Sequence, residues 1–166
     1  MFIVITGLDG SGTSTIANEL GKLDEDSTIV RTPNSDFTGR ESIDNSVRKI
    51  SQWAHYLYYL SSVVYMSDKI KKEHDYKTKN VYCVRYLIDT VVSHRVAGLD
   101  VNMDYSQYDI LKPDLTIFVF LDESIREKRI SARGKSVLDK VLDDMETRKK
   151  FLQCFDTCWF NIDMSQ

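Results

Sequence analysis

The chain has 166 residues, of which 42% are hydrophobic, so it is long enough and apolar enough to fold around a real core. Its net charge of −3, with no basic stripe, argues against binding to a nucleic acid polymer, whose affinity comes largely from neutralised phosphates. No apolar run approaches the roughly 20 residues of a membrane span, and the apolar N-terminus is too short for a signal peptide. We therefore expect a cytoplasmic protein with no membrane partner.

Segments typical of strands and helices alternate along the chain without a linker or repeat, which predicts a single domain over residues 1–166. Apolar runs predict strands at 2–6, 28–31, 81–84, 115–121 and 159–163. The segments between them predict helices at 13–23, 39–51, 53–72, 87–97, 124–133 and 137–157. This order predicts an α/β fold with a central parallel sheet of about five strands flanked by helices. Because ligands of such sheets bind outside the carboxyl ends of the strands, we expect the functional residues there.

The turn after the first strand has the glycine spacing of a phosphate-binding loop, G-x-x-x-x-G-x-[ST]. Glycine lets backbone N–H groups approach an anion closely, and the helix that follows presents its positive end to the same point. Ser14 stands where such loops place a hydroxyl on Mg²⁺, whereas Thr13 stands where they normally place a lysine. The predicted phosphate-binding residues are Gly7, Gly10, Ser11, Gly12, Thr13, Ser14 and Thr15.

The predicted helix 53–72 carries an unusual number of aromatic side chains: Trp53, Tyr56, Tyr58, Tyr59 and Tyr65. Aromatic residues at this density cover more than one face of a helix. Part of this surface is therefore expected to meet a ligand or a second subunit, and we predict a homodimer through residues 53–72.

A series of short motifs extends along nearly the whole chain. In order, they are the loop with Asp9, Arg31-Thr32-Pro33, Arg85-Tyr86, Lys112-Pro113-Asp114-Leu115-Thr116, the arginines of 126–135, and Ile162-Asp163-Met164-Ser165-Gln166. Together they resemble the thymidylate kinase family of P-loop nucleoside monophosphate kinases. The resemblance implies a P-loop kinase fold with a short arginine-bearing lid. It also implies ATP and Mg²⁺ as cofactors and a nucleoside monophosphate, with dTMP as the default, as the acceptor.

The resemblance assigns acceptor-binding roles to residues at the predicted strand ends. Asp9 would face the acceptor's sugar hydroxyl, and Arg31 and Arg85, the latter followed by Tyr86, would hold its phosphate. A guanidinium suits this task because its fork donates two parallel hydrogen bonds. Tyr59, or else Tyr58, would stack on the acceptor base.

The same resemblance assigns Arg129 and Arg133 to the lid that closes over the phosphates. Phosphoryl transfer depends on positioning and charge neutralisation, so cations must surround the transferred group. Arg129 and Arg133, with Asp9 and Arg85, are therefore the predicted catalytic residues.

Three positions depart from the family pattern, and all of them are expected in the site. Thr13 replaces the loop lysine, Val84 replaces the aspartate before Arg85, and Val63 stands where the family usually has an arginine that reaches the base. We favour a working kinase, because the other site residues are retained together. The alternatives are a catalytically weak or inactive nucleotide-binding module and a kinase of an unusual nucleotide acceptor.

Overall fold

The computed structural model describes residues 1–134 and 142–161, and within them four strands form one parallel sheet. The strands are β1 (Phe2–Gly7), β2 (Thr28–Arg31), β3 (Val81–Val84) and β4 (Leu115–Val119). Their order in the sheet is β2-β3-β1-β4, so β1 and β3 are central neighbours. The α/β fold and the parallel sheet predicted from the sequence are confirmed.

Helices cover both faces of this sheet. They are α1 (Thr13–Leu23), α2 (Arg40–Ser42), α3 (Arg48–Ile50), α4 (Gln52–Glu73), α5 (Leu87–Val96), α6 (Glu123–Arg133) and α7 (Met145–Asn161), with a π-helical turn (Ile43–Val47) and a 3₁₀ turn (Ser106–Tyr108). The π-helical turn joins α2 to α3, and we call residues 40–50 the α2–α3 segment. In the part of the chain described, no helix has the length and apolarity to cross a membrane.

The two faces of the sheet bury different apolar clusters, because successive side chains of a strand point to opposite faces. Ile3 and Ile5 pack with Ala17 of α1 on one face. Phe2 and Val4 pack on the other face, against residues of α4, α5 and α7. Every residue of β1 is buried, as expected of a central parallel strand with both faces covered.

The carboxyl ends of β1 and β3 form the natural ligand crevice of this fold. The helix after β1 packs on one face of the sheet, and the helix after β3 packs on the other. Neighbouring strands whose helices leave to opposite faces open a crevice between their ends, which is where α/β proteins bind ligands. The loop after β1 and Arg85 after β3 therefore meet at this crevice.

The predicted strand at 159–163 is wrong in its described part, because α7 continues through Asn161. The aromatic pair Trp159-Phe160 is typical of strands, but no helix-breaking residue precedes it in α7. Each residue added to an existing helix gains a backbone hydrogen bond, so the helix extends through the aromatic pair. Residues 162–163 lie outside the described residues, as do residues 137–141 of the last predicted helix.

Candidate active site

The loop between β1 and α1 forms an anion-binding cradle made of backbone. Gly10 and Gly12 have φ values of +86° and +101°, which side chains with a Cβ rarely adopt. Gly12 is also the residue before α1, and no side chain caps this helix. The N–H groups of the first turn have no partner within a helix, so here they are available to a phosphate together with the positive end of the helix.

The contents of the loop fit a bound phosphate group. Among the described residues, the Ser11 hydroxyl is buried and has no hydrogen-bond partner. It lies only 2.7 Å from the position that a Cβ on Gly7 would occupy, so the space beside it requires glycine. A buried hydroxyl without a partner costs free energy, and a phosphate oxygen would remove that cost.

Ser14 is the residue of the loop that could hold a magnesium ion. Its side chain is exposed in the first turn of α1. Among the described residues, no cluster of three or more His, Cys, Asp or Glu side chains could hold a metal. A magnesium ion at Ser14 would therefore take its other ligands from phosphate oxygens and water, as this ion commonly does.

Helix α6 packs directly on the loop and brings two arginines with different roles. Arg126 is only 2% exposed; it donates to the Asp9 carbonyl at 2.8 Å and to both carboxylate oxygens of Glu123 at 2.6 and 2.7 Å. Arg129 is exposed, and its Nη1 lies 3.1 Å from the position that a Cβ on Gly12 would occupy. Arg126 therefore braces the loop, whereas Arg129 is the cation beside the phosphate cradle. Arg133 is exposed at the last residue of α6.

Arg85 lies between two carboxylates at the end of β3. Its Nη2 donates to Asp9 Oδ1 at 2.6 Å, and its Nη1 donates to Asp89 Oδ1 at 3.0 Å. Its φ of +65° is uncommon for a residue with a side chain. Its carbonyl accepts hydrogen bonds from Thr32 and Cys83, both at 3.0 Å. These contacts fix the guanidinium between the phosphate loop and α5.

Asp89 is the carboxylate that the sequence analysis missed. Its Oδ1 accepts from the Thr6 hydroxyl at 2.6 Å and its Oδ2 from the Tyr86 N–H at 3.0 Å. Burial raises the pKa of Asp89, and the charge of Arg85 with these hydrogen bonds opposes that rise. Val84 is buried in the sheet, and Asp89 brings a carboxylate to Arg85 from the first turn of α5.

These groups border a cavity of about 210 Å³ between the strand ends and α4, α5 and α7. Asp9, Arg85, Tyr86 and Tyr59 line it, and Phe151 and Phe155 of α7 form an apolar wall. Tyr58 does not line this cavity; its hydroxyl donates to the carbonyls of Phe37 and Thr38. Tyr59 is therefore the better candidate to contact an acceptor base.

The opposite wall of the cavity comes from the α2–α3 segment. Arg40 and Arg48 both line the cavity, which the sequence analysis did not predict. Arg40 Nε donates to the Tyr59 hydroxyl at 3.0 Å, and that hydroxyl donates to Asp44 Oδ1 at 2.7 Å. Burial raises the pKa of Tyr59, so its hydroxyl keeps its proton and donates to Asp44. With Arg85, the cavity carries three guanidinium groups, a suitable environment for an anionic ligand.

Arg31 lies outside this cavity. It is exposed and lines a second cavity of about 490 Å³ together with Ser14. Ile29, two residues earlier in β2, lies against Gly21 of α1. Side chains two apart in a strand share a face, so Arg31 points to the α1 side of the sheet, away from Arg85. The structure thus does not bring Arg31 and Arg85 together.

Val63 also lies away from the cavity. It is 0% exposed and packs in the core between α4 and the sheet. The cationic side chains of the cavity come instead from Arg40 and Arg48 of the α2–α3 segment. The expectation that position 63 belongs to the site is wrong, because that face of α4 meets the sheet.

Comparisons with known proteins point to one family. The thymidylate kinase family model matches residues 5–166. A thymidylate kinase of Mycoplasma capricolum is 30% identical, over 90% of this chain and 76% of its own. A probable thymidylate kinase of Pyrobaculum aerophilum is 31% identical, over 80% of this chain and 71% of its own.

Solved structures of low sequence identity share the fold. The thymidylate kinase of Candida albicans superposes with a TM-score of 0.67 at 22% identity, over 93% of this chain and 75% of that one. A deoxyadenosine kinase of M. mycoides superposes with a TM-score of 0.68 at 20% identity, over 99% of this chain and 86% of that one. The family model and the sequence relatives show that this chain belongs to the thymidylate kinase family.

Proposed function

We propose that this protein transfers the γ-phosphoryl group of ATP to a nucleoside monophosphate, with dTMP as the default acceptor. One observation carries the proposal: Asp9, inside the phosphate loop, is ion-paired with Arg85 of the neighbouring cavity at 2.6 Å. A phosphate donor on the loop and an acceptor in the cavity would thus share one crevice. Phosphoryl transfer requires this proximity of two nucleotides.

The residues on the donor side bind and neutralise the triphosphate. Backbone N–H groups of the loop and of the first turn of α1 would cradle its oxygens, and Arg129 adds the positive charge that Thr13 cannot supply. Ser14 would hold magnesium, which would supply neutralisation of the phosphate charge. Arg133, at the end of the same helix, is the further lid cation.

The residues on the acceptor side hold the nucleoside monophosphate in place. Arg85 and Arg40 orient its phosphate, while Asp9 accepts from a sugar hydroxyl. Tyr59 and the apolar wall of α7 exclude water from the base. The curated relatives named as thymidylate kinases support dTMP as the acceptor. The acceptor phosphate, and not only its base, is expected to be required, because the cavity is rich in guanidinium groups.

The test is an ADP-release assay with ATP, Mg²⁺ and each common nucleoside monophosphate, with the corresponding nucleosides as matched controls. We expect turnover with dTMP and none with thymidine. A thermal-shift measurement runs beside it, since a ligand at a hundred times its dissociation constant adds about 2.7 kcal/mol of stability. Thermal shifts with both nucleotides but no ADP release would identify a nucleotide-binding module that the loss of the loop lysine has inactivated.

We also propose a homodimer through α3 and α4. Trp53 and Leu57, one helical turn apart in α4, are 45% and 50% exposed, and Ile50, at the end of α3, is 90% exposed. Large apolar side chains clustered on a surface commonly mark an interface. Light scattering should show a dimer that Trp53→Glu converts to a monomer, whereas a monomeric wild-type protein would contradict this assembly.

A further inference from the structure

Two buried histidines in the cavity wall belong to one chain of hydrogen bonds. His94 Nδ1 lies 2.7 Å from the Thr90 carbonyl, and His94 Nε2 lies 2.7 Å from His55 Nδ1. His55 Nε2 lies 2.9 Å from Asp44 Oδ1. Both histidines are 5% exposed and line the cavity. Every ring nitrogen of the pair is therefore engaged inside the protein.

These contacts fix the number of protons on the pair. A carbonyl only accepts hydrogen bonds, so His94 Nδ1 must carry a hydrogen. An ionised carboxylate also only accepts, so His55 Nε2 must carry one as well. The contact between the two rings needs one further hydrogen. Three N–H groups on two imidazoles amount to one more proton than two neutral rings hold.

The position of that additional charge follows from the surroundings. Burial lowers the pKa of His94 to about 4, so this ring is neutral. The pKa of Asp44 lies below its ordinary value: burial alone would raise it, but hydrogen bonds from His55 and Tyr59 and the charge of Arg40 outweigh burial. Asp44 is therefore ionised, and the additional proton belongs to the histidine pair.

We infer that His55 and His94 together carry one additional proton, and that this charged pair positions Asp44, and through it Tyr59 and Arg40, at the acceptor cavity. The inference rests on the proposed function for its link to acceptor binding. Asp44 connects the two sides, because the same Oδ1 accepts from His55 and from Tyr59, while its Oδ2 lies 3.5 Å from Arg40 Nε. His55 and His94 are thus positioning residues that leave ligand contacts to their neighbours.

The pair meets charged or titratable groups on each element around it. These are Arg40, Asp44 and Arg48 of the α2–α3 segment and Tyr56 and Tyr59 of α4. Asp44 is the one carboxylate that contacts the pair in the described part of the chain. Without the additional proton, one of two contacts would join two hydrogen-bond acceptors. Either His55 Nε2 would face Asp44 Oδ1, or His55 Nδ1 would face His94 Nε2. In the first case Asp44 would lose the hydrogen bond from His55 and keep the one from Tyr59.

The direction of the pH effect follows from this proton count. The arrangement that binds the acceptor holds the additional proton, so acceptor affinity is complete at low pH and is lost as pH rises through proton release. The loss should approach about tenfold per pH unit for one proton. The measurement uses pH values above about pH 7, because a phosphate monoester, whose second pKa is about 6, is then already a dianion.

The first experiment counts the N–H groups by NMR on histidine-labelled protein without ligand. We expect three ring N–H groups on His55 and His94 near pH 7, with His74, which lies outside the network, as the reference signal. Two N–H groups on the pair would mean two neutral rings and would overturn the inference. This measurement does not depend on the proposed kinase function.

The second experiment measures dTMP affinity by calorimetry over the same pH range in the wild type and two variants. His55→Gln keeps a donor for Asp44 but cannot carry the proton, so it should weaken dTMP binding near pH 7 and remove the pH dependence. His74→Gln, the matched control, should keep the wild-type pH dependence of dTMP affinity. ATP affinity should not show this pH dependence. If His55→Gln binds dTMP like the wild type, the positioning role is wrong. If no nucleoside monophosphate binds at any pH, the proposed function fails, while the N–H count still decides whether the pair is charged.

Discussion

The phosphate loop and the acceptor cavity meet at Asp9 but are built in different ways. The loop uses backbone: positive φ at Gly10 and Gly12, and the uncapped start of α1. The cavity uses side chains from separate elements, in which Arg85 pairs with Asp9 and Asp89. A backbone site can therefore lose one side chain, such as the loop lysine, and keep its shape. A site made of paired charges depends on each partner.

The largest effect is expected in the acceptor cavity, which is built from side chains. Arg85→Ala removes the cation between Asp9 and Asp89 and leaves their carboxylates unpaired. Loss of one partner from such a pair should weaken dTMP binding on the order of a hundredfold to a thousandfold, with ATP binding changed little. Calorimetry with each nucleotide measures both. Arg95→Ala, near the end of α5 and outside the cavity, is the control, and equal losses for dTMP and ATP would refute the role given to Arg85.

Two arginines of α6 are expected to have different roles, one catalytic and one structural. Arg129→Ala should lower kcat by on the order of a hundredfold, because it removes a cation beside the phosphates, and it should leave stability nearly unchanged. Arg126→Ala should instead cost about 2–3 kcal/mol of unfolding free energy, because the Asp9 carbonyl and Glu123 lose their partner. Kinetics and chemical denaturation of both variants test this division. A stable Arg126→Ala protein would contradict the bracing role.

A lysine at position 13 of the loop should strengthen ATP binding. Thr13→Lys adds a charge-assisted hydrogen bond to the triphosphate and should raise ATP affinity roughly tenfold or more. Asn18→Lys, which adds the same charge further along α1, controls for general attraction of anions. Equal affinities for the two variants, measured by calorimetry, would mean that the phosphates lie elsewhere.

A further prediction concerns the packing of α6 on the loop. Gly10 and Gly39 both have positive φ, but a Cβ on Gly10 would lie 2.8 Å from Ile130, whereas one on Gly39 meets nothing within 4 Å. Gly39→Ala should therefore cost about 1–2 kcal/mol of stability from the backbone alone. Gly10→Ala should cost about 1–3 kcal/mol more, because α6 must move. Similar unfolding free energies in urea would show that α6 does not pack tightly on the loop.

The same contrast explains what could be predicted from the sequence. The loop is one contiguous motif whose glycine spacing fixes its conformation, so its residues could be named in advance. Asp9 and Arg85 could also be placed together, because they follow adjacent parallel strands. Asp89 follows Arg85 by four residues, one helical turn, a spacing that could have indicated the pair.

The rest of the cavity depends on how helices pack, which no local pattern reveals. Asp44, His55 and His94 lie on three different elements, and only the packing of α4 against α5 and the α2–α3 segment joins them. The position of Arg31 at the second cavity could not be predicted, because sequence order gives the end of a strand but not the face to which its side chain points. Val63 was misplaced for the same reason on a helix.

The central claim is that the loop and the cavity act on the same phosphoryl group. Phosphorus NMR of one sample with protein, ATP, Mg²⁺ and dTMP tests it most directly, because transfer and hydrolysis give different signals. We predict that dTDP and ADP accumulate together, with inorganic phosphate appearing only as a minor product. Inorganic phosphate without dTDP, or unchanged nucleotides in a sample where both are shown to bind, would contradict the claim.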